Sequence, residues 1–321
     1  MMENILDTPG FYVEPQNVSI LTDCLDFKAK IENLAECCRK EVYISSLYIG
    51  TDQTTRECLK LIACNQSDLN INFLADYSRS LREDGHCWKI MDLFKENSPN
   101  KLNFHLFSAN GSNIEKFPIK IREIYGVQHM KFLIFDDTII LTGANISKTY
   151  LMNRQDRYYV IKNSPNLKRF LISCYETITK FCYKIVEYEF TFNDKLPCND
   201  NMSLFIVILA SEINKMIQYY SQNCDLTFGQ FNEQRHKLES NYAIIFPLIQ
   251  FGKCNILNID NFIKHIIKTL PNHQSSILIT SAYINFDDNI EKTISRVASK
   301  ECIFDLVLPN PKTNSFYQVI Y

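Results

Sequence analysis

A histidine and a lysine two positions apart are the side chains of this sequence best suited to catalysis. His129 and Lys131 lie in the run Gln128–Asp136, and Gly143 and Asn145 follow within a few residues. Neutral imidazole is a nitrogen nucleophile near neutral pH, and an adjacent ammonium stabilises charge on phosphate oxygens. Glycine allows close backbone approach, and the asparagine amide donates a hydrogen bond. The group therefore predicts attack on a phosphodiester or pyrophosphate without a bound metal.

A β-hairpin is the element that must position these side chains. Alternation with a period of two predicts a strand over 129–135, with His129 on the same face as the lysine. Asp136 and Asp137 form a two-residue turn signal between two apolar runs. This turn sets the register of the hairpin, which predicts that His129 lies opposite Ala144.

The spacing resembles the signature of the phospholipase D superfamily, because it runs His129-x-Lys131-x4-Asp136-x6-Gly143-x-Asn145. Further stretches are similar to one branch of that superfamily, the CDP-diacylglycerol–glycerol-3-phosphate 3-phosphatidyltransferases. These stretches are Ser45–Thr51, Asp76–Arg79, Gly126–Lys131, Phe135–Asp137, Leu141–Ser147, Asn153–Tyr158 and Phe246–Gln250. The similarity extends over most of the chain.

The resemblance implies a reaction in two steps. A histidine attacks the phosphatidyl phosphorus of CDP-diacylglycerol and CMP leaves; glycerol 3-phosphate then resolves the phosphohistidine to give phosphatidylglycerophosphate. It implies His129 as nucleophile, Lys131 as the ligand of the phosphoryl oxygens, Asp136 as an orienting or supporting carboxylate, and Asn145 as a hydrogen-bond donor. A second histidine serves as general acid and base, and one motif does not decide which of the two is the nucleophile.

Five further residues are candidate substrate-binding groups. Gly143 lies beside the predicted nucleophile, and Arg154 and Arg157 are candidates for binding the acceptor phosphate or the pyrophosphate. Arg79 follows a predicted strand and would face the same cleft, and Tyr48 ends a strand where α/β sheets bind ligands. The arginines and the tyrosine also have simpler explanations. Charged residues are common at helix starts and in solvated loops, and tyrosines are common in cores.

Composition narrows the function classes. The formal net charge of −2 over 321 residues gives no basic field, which argues against nucleic-acid binding. Twelve cysteines are present without a Cys-x-x-Cys pair, so no zinc site or other cofactor is expected. The longest apolar run, Leu204–Ala210, is too short to span a bilayer, which predicts peripheral contact with membrane lipid.

The pattern of elements predicts an α/β fold, a phospholipase D-like mixed sheet flanked by helices. The predicted strands are 42–49, 70–75, 103–107, 131–135, 139–141 and 157–161, and the predicted helices are 27–39, 54–63 and a long one at 167–189. Residues 1–165 form the predicted first lobe with the His-x-Lys motif. Residues 166–202 form a connecting helix and linker, the linker at 191–202, and residues 203–321 form a partial second lobe.

A faint internal repeat supports the second lobe. Tyr43–Ile49 resembles Leu278–Ile284, which predicts that residues 278–308 form the first strand–helix–strand of a second copy. The second His-x-Lys would then fall beyond Tyr321. The three downstream histidines, His236, His265 and His273, lack a lysine at the second following position. We therefore expect two pseudo-repeated lobes, the second incomplete, and little or no activity from this chain alone.

Alternative functions and the location follow from the same residues. The alternatives are another superfamily reaction, such as phosphatidylserine or cardiolipin synthesis or phosphodiester hydrolysis, and an inactive chain that binds lipid phosphate. The family implies a mitochondrial protein peripheral to the inner membrane. The acidic residues Glu3, Asp7 and Glu14 are unlike an arginine-rich transit peptide.

Overall fold

Two compact units make up the chain, Leu6–Pro247 and Leu248–Tyr321 with Met1–Ile5. The computed structural model describes residues 5–82, 86–108, 127–192, 202–234, 241–269, 276–281, 286, 288–298, 303–308 and 310. No helix within these residues is both long and apolar enough to cross a membrane.

The larger unit is built of twelve described strands and eight described α-helices. The strands are β1 Pro9–Val13, β2 Val18–Leu21, β3 Glu41–Ser45, β4 Asn70–Asp76, β5 Leu102–Phe107, β6 Phe132–Phe135, β7 Thr138–Thr142, β8 Tyr158–Lys162, β9 Cys182–Val186, β10 Glu189–Thr191, β11 Leu226–Thr227 and β12 Ala243–Ile245. The helices are α1 Cys24–Cys37, α2 Gln53–Ala63, α3 Tyr77–Ser80, α4 Cys87–Asn97, α5 Lys148–Met152, α6 Pro165–Thr179, α7 Met202–Gln222 and α8 Phe228–Gln234.

Nine of these strands form one mixed sheet, in the order β10-β9-β5-β4-β3-β6-β7-β8-β2. The three central strands β3, β4 and β5 are parallel, whereas the strands outside them pair antiparallel. Residues of α1, α2 and α4 share one apolar core with the sheet, and α6 packs against β5 and β9. The predicted α/β class, a mixed sheet flanked by helices, is confirmed.

Burial on both faces explains why the central strands are apolar throughout. All four residues of β6 are buried, and Phe73 of β4 lies edge-on to Phe104 and Phe94, with ring centroids 5.8 and 5.5 Å apart. Strands covered by helices on both faces are usually continuous hydrophobic runs rather than alternating ones. This packing makes the sheet a rigid platform for the loops at its edges.

The predicted hairpin register is confirmed within the strands. Phe132 pairs with Leu141, and Asp136 occupies the turn with φ of 49°. The strand itself begins at Phe132 rather than at residue 129, so His129 is not paired across the hairpin with Ala144. The main chain just before β6 is held by side chains instead of by a strand partner.

Other predicted elements differ from the structure in instructive ways. The long helix predicted at 167–189 ends at Thr179, and Cys182–Val186 instead pairs with β5. The open edge of β5 offers main-chain hydrogen bonds that local helical propensity does not register. Residues 193–201 of the predicted linker lie outside the described residues. The predicted division into lobes stays a prediction; α7 packs on α6 and β1 within the larger unit.

The described residues of the smaller unit form four short strands and two α-helices. They are β13 Gln250–Phe251, β14 Ile256–Leu257, α9 Asn258–Thr269, β15 Ser276–Thr280, α10 Asp288–Ala298 and β16 Ile303–Val307. The strands β15 and β16 are parallel, with Ile279 opposite Leu306. The strand–helix–strand predicted over 278–308 is therefore present.

The carboxylate of Asp136 ties the hairpin to the amino end of β3. Its oxygens accept hydrogen bonds from the main-chain N–H groups of Arg39, Lys40 and Glu41, at 2.7, 2.8 and 3.0 Å. Three charge-assisted bonds from one residue to a neighbouring strand fix the position of β6 beside β3. The left-handed backbone at this residue is one that aspartate and asparagine tolerate well.

We expect Asp136→Ala to lower the free energy of unfolding by about 2 kcal/mol, because three main-chain N–H donors at the start of β3, one of them half-buried, lose a charged acceptor. Asp136→Asn keeps one acceptor oxygen, so its free energy of unfolding should lie between those of the wild type and Asp136→Ala. Asp137→Ala is the control, since that side chain is 74% exposed and makes only a surface ion pair with Lys168. Urea denaturation measures all three, and equal stability of the two alanine variants would contradict the anchoring role.

Candidate active site

One edge of the nine-stranded sheet gathers most of the predicted site residues. The carboxyl ends of β3, β4 and β5 lie there because these strands are parallel, and so do the start of β6, the end of β7 and the start of β8. In open α/β sheets this is the edge where ligands bind. The side chains that leave it include Ser46, Tyr48, Asp76, Arg79, Gln128, His129, Lys131, Asn145, Asp156 and Arg157.

Gln128 holds the segment that carries the histidine. Its main-chain N–H donates to Asp76 Oδ2 at 3.0 Å, and its side-chain Nε2 donates to Ser45 Oγ at 2.7 Å. Ser45 Oγ in turn donates to the carbonyl of Met130 at 2.9 Å. These side chains take the place of a strand partner, which is why the ladder of β6 starts only after Lys131.

His129 lies at the rim of this edge with its side chain accessible to solvent. Desolvation by the surrounding protein lowers the pKa of the imidazole to about 4, and the nearby charge of Lys131 lowers it further. The imidazole is therefore neutral at physiological pH. A neutral, accessible imidazole is the form that attacks phosphorus.

Lys131 is 8% exposed, so its ammonium lies inside the protein. Its Nζ donates to the main-chain carbonyl of His129 at 2.9 Å. Burial lowers the pKa of Lys131 to about 8, while the carboxylate of Asp156 acts in the opposite direction. At pH 7 the side chain still carries its charge, in surroundings where a cation interacts strongly with a phosphate.

Asp156 is a site residue whose role the motif alone did not predict. Its Oδ1 accepts hydrogen bonds from the main-chain N–H groups of Gly143 and Arg157, at 3.1 and 2.7 Å. A Cβ on Gly143 would lie 2.7 Å from that oxygen, so glycine is needed there for the close approach of the carboxylate. The signal in the sequence that could have indicated this role is the acidic residue between Arg154 and Arg157.

Asn145 is buried and oriented by two donors. Its Oδ1 accepts from Ser46 Oγ and from the main-chain N–H of Leu47, both at 3.2 Å. Because the carbonyl oxygen is used in this way, the amide Nδ2 is the group left to donate towards a ligand. The predicted donor role of Asn145 is compatible with this orientation and stays a prediction.

The remaining candidate site residues do not all lie beside His129. Asp136 lies at the opposite end of β6 from Lys131, where it supports the hairpin and does not reach the histidine. Arg79 stacks on the ring of Tyr48, with its guanidinium carbon 4.6 Å from the centroid. Arg154 is exposed and lies over Tyr150, and Arg157 is exposed beside Asp156. Within the described residues, no three histidine, cysteine or acidic side chains lie close enough together to hold a metal ion.

Known proteins resemble the chain along nearly its whole length. No family model matches it. A probable CDP-diacylglycerol–glycerol-3-phosphate 3-phosphatidyltransferase of Dictyostelium discoideum is 28% identical over 96% of the chain and 56% of its own length. The enzyme of that name from Saccharomyces pastorianus is 26% identical over 96% of the chain and 61% of its own length. The chain is a relative of these phosphatidyltransferases.

The relatives confirm the resemblance predicted from the motifs. A mitochondrial enzyme of the same name from Gallus gallus is 23% identical over 96% of the chain and 60% of its own length. The chain thus spans about three fifths of the length of these relatives. A crystal structure of phosphatidylserine synthase from Haemophilus influenzae superposes with a TM-score of 0.66 at 19% identity, covering 97% of this chain and 66% of that one. The two proteins share a fold.

We expect the imidazole of His129 to titrate near pH 4 rather than near 6.5. The neutral form is favoured in the folded state, so the unfolded chain binds the extra proton between these values. Stability should therefore fall as the pH drops from 6.5 to 4. NMR of the histidine Cε1–H groups measures the pKa, with His129→Gln to assign the signal, and a midpoint near 6.5 would contradict the described surroundings.

Gly143→Ala should displace the carboxylate of Asp156, because the new Cβ would lie 2.7 and 3.0 Å from its two oxygens. Lys131 would lose the neighbour that favours its charged form, so its pKa should fall further below 8. An NMR titration of the lysine Nζ measures the change. Gly252→Ala is the control, since nothing lies within 4 Å of its Cβ position. An unchanged pKa of Lys131 in Gly143→Ala would contradict the interaction between Lys131 and the carboxylate of Asp156.

Proposed function

We propose that His129 of this chain is the nucleophile in phosphatidyl transfer from CDP-diacylglycerol to glycerol 3-phosphate and forms the phosphohistidine. The observation that supports it most is a neutral, accessible imidazole beside the buried, charged Lys131. The two substrates are inferred from the relatives, which are named for this reaction. The amide of Asn145 lies at the same edge of the sheet as these two side chains.

The first step forms a bond from an imidazole nitrogen of His129 to the phosphatidyl phosphorus and breaks the bond from that phosphorus to an oxygen of CMP. Charge builds up on the phosphoryl oxygens as the nitrogen approaches. The ammonium of Lys131 and the amide N–H of Asn145 stabilise that charge, and they do so strongly because the site is partly desolvated. A neutral imidazole needs no prior loss of a proton in order to attack.

The second step returns the histidine to its starting form. A hydroxyl of glycerol 3-phosphate attacks the phosphohistidine, the P–N bond breaks, and the hydroxyl proton passes to a base. The resemblance implies that a second histidine is that base and is also the acid that protonates CMP. None of the other histidines in the sequence is followed by a lysine two positions later, so the first step is the one this chain's own residues account for.

A second acceptor is favoured by one observation. One solved structure with the same fold is a phosphatidylserine synthase, and the histidine chemistry is indifferent to which hydroxyl resolves the intermediate. Serine is therefore the alternative acceptor to test beside glycerol 3-phosphate. The proposed place of action is the surface of the mitochondrial inner membrane, as a peripheral protein, since vertebrate relatives are named mitochondrial and the donor is a lipid.

The test is a single-turnover experiment with excess purified protein and CDP-diacylglycerol in mixed micelles. Because this chain's residues account for the first step only, we expect a single burst of CMP and a phosphatidyl adduct on His129, detected by mass spectrometry, with little further turnover. In His129→Ala the burst should fall about a thousandfold or more, because no nucleophile remains. His265→Ala is the control histidine. The adduct should decay faster with glycerol 3-phosphate than with serine.

Equal CMP release by wild type and His129→Ala would exclude His129 as the nucleophile. Faster decay with serine would assign the alternative acceptor. An adduct on another residue would show that this other residue is the nucleophile.

A further inference from the structure

A polar cleft of about 500 Å³ opens at the same edge of the sheet, past the end of β3. It is lined by Tyr48, Thr51, Asp52, Lys89, Ser147, Lys148 and Thr149. The volume lies in the range of sites for small molecules. None of these lining residues has a purely aliphatic side chain, which disfavours an acyl chain as the occupant.

The cleft is joined to the motif through Ser46. The hydroxyl of Ser46 lies 2.8 Å from the carbonyl of Tyr48 and 3.2 Å from Oδ1 of Asn145. The two wall segments are also linked by main-chain contacts, since the N–H of Gly50 donates to the carbonyl of Ile146 at 2.7 Å. A ligand in the cleft therefore lies beside the residues that position Asn145.

The charges of the cleft favour an anion. Lys89 and Lys148 are exposed, and neither makes an ion pair with another residue of the described ranges. The one carboxylate of the lining, Asp52, accepts from the N–H and the hydroxyl of Thr55 at 2.9 and 2.7 Å and from the N–H of Lys148 at 3.0 Å. Its oxygens are thus engaged in holding the walls, while both ammonium groups remain available.

The hydroxyls of the cleft favour a polyol. The hydroxyl of Tyr48 lies 3.3 Å from Ser147 Oγ, which lies 3.3 Å from Thr149 Oγ1. Both distances are longer than the usual 2.7–2.8 Å for bonds between hydroxyls. A ligand with its own hydroxyls can replace these long contacts with better ones. The guanidinium of Arg79 stacks on the ring of Tyr48 and adds positive charge behind this row.

We propose that this cleft is the acceptor subsite and binds a small phosphorylated polyol, glycerol 3-phosphate. The two lysines would bind the phosphate and the row of hydroxyls would bind the glycerol. This inference rests on the proposed function, since it supplies the acceptor for the second step. A phosphate also occurs in CMP, and the face of the Tyr48 ring that Arg79 covers is closed to stacking by the cytosine base.

Calorimetry on the full chain tests the subsite without relying on turnover. The probes are glycerol 3-phosphate, glycerol, inorganic phosphate and CMP. We expect glycerol 3-phosphate to bind, and the double variant Lys89→Ala/Lys148→Ala to weaken its binding roughly tenfold to a hundredfold, the usual effect of lost charged hydrogen bonds. Lys60→Ala, on the exposed surface of α2, is the control and should bind as wild type does.

Tyr48→Phe separates polyol recognition from simple anion binding. It removes one hydroxyl but keeps the ring under Arg79, so it should weaken glycerol 3-phosphate several-fold and leave inorganic phosphate unchanged. Equal losses for both probes would overturn the polyol assignment. Absence of glycerol 3-phosphate binding, binding unaffected by the double lysine variant, or a double variant that loses CMP instead would overturn the subsite.

The formation of the His129 adduct distinguishes this result from the proposed function. An adduct that forms normally in the double lysine variant, together with unchanged glycerol 3-phosphate affinity, would reject the cleft and keep the transferase. Failure of the adduct in the wild-type chain would reject His129 as the nucleophile, whatever the calorimetry shows.

Discussion

A buried ammonium is the constraint on which the site depends. Lys131 lies almost wholly inside the protein at the end of an apolar sheet, where an unpaired charge is strongly disfavoured. The carbonyl of His129 and the carboxylate of Asp156 compensate it in part. The compensation is incomplete, so its pKa stays below the ordinary value, and the ammonium retains attraction for a phosphate that enters the site.

The same surroundings set the state of the nucleophile. Desolvation and the nearby cation both disfavour imidazolium, so His129 stays neutral across the physiological range. In water, an imidazole with its ordinary pKa is still partly protonated near neutral pH. Here one shared feature, partial exclusion of solvent at the edge of the sheet, favours the reactive form of the histidine and strengthens the lysine's interaction with phosphate.

Precision at this edge comes from fixing β6 at both ends. At the far end Asp136 accepts hydrogen bonds from the N–H groups of Arg39 and Lys40, just before β3, and of Glu41, its first residue. At the site end Gln128 and Ser45 hold the segment that carries His129. The histidine therefore lies on a short segment that has no strand partner but is anchored on both sides to a packed sheet. This arrangement fixes the position of the histidine and leaves it accessible to substrate. The neighbouring cleft shares this support through Ser46 and Asn145.

Local pattern in the sequence was enough to predict the chemistry and much of the sheet. The His-x-Lys spacing, the turn at Asp136, the register of Phe132 with Leu141 and six of the nine strands of the large sheet depend on neighbours a few residues apart. Side-chain periodicity reports such neighbours directly. The tertiary structure alone decided that Asp136 lies away from the histidine, that Gln128 is held by Asp76, and that residues after Thr179 join the sheet as a strand. Each of these outcomes is a contact between distant parts of the chain, separated by 52 residues for Gln128 and Asp76 and by 96 for Lys40 and Asp136. Such contacts depend on which strand edges and buried donors lack partners once the sheet has assembled, and no local periodicity records that.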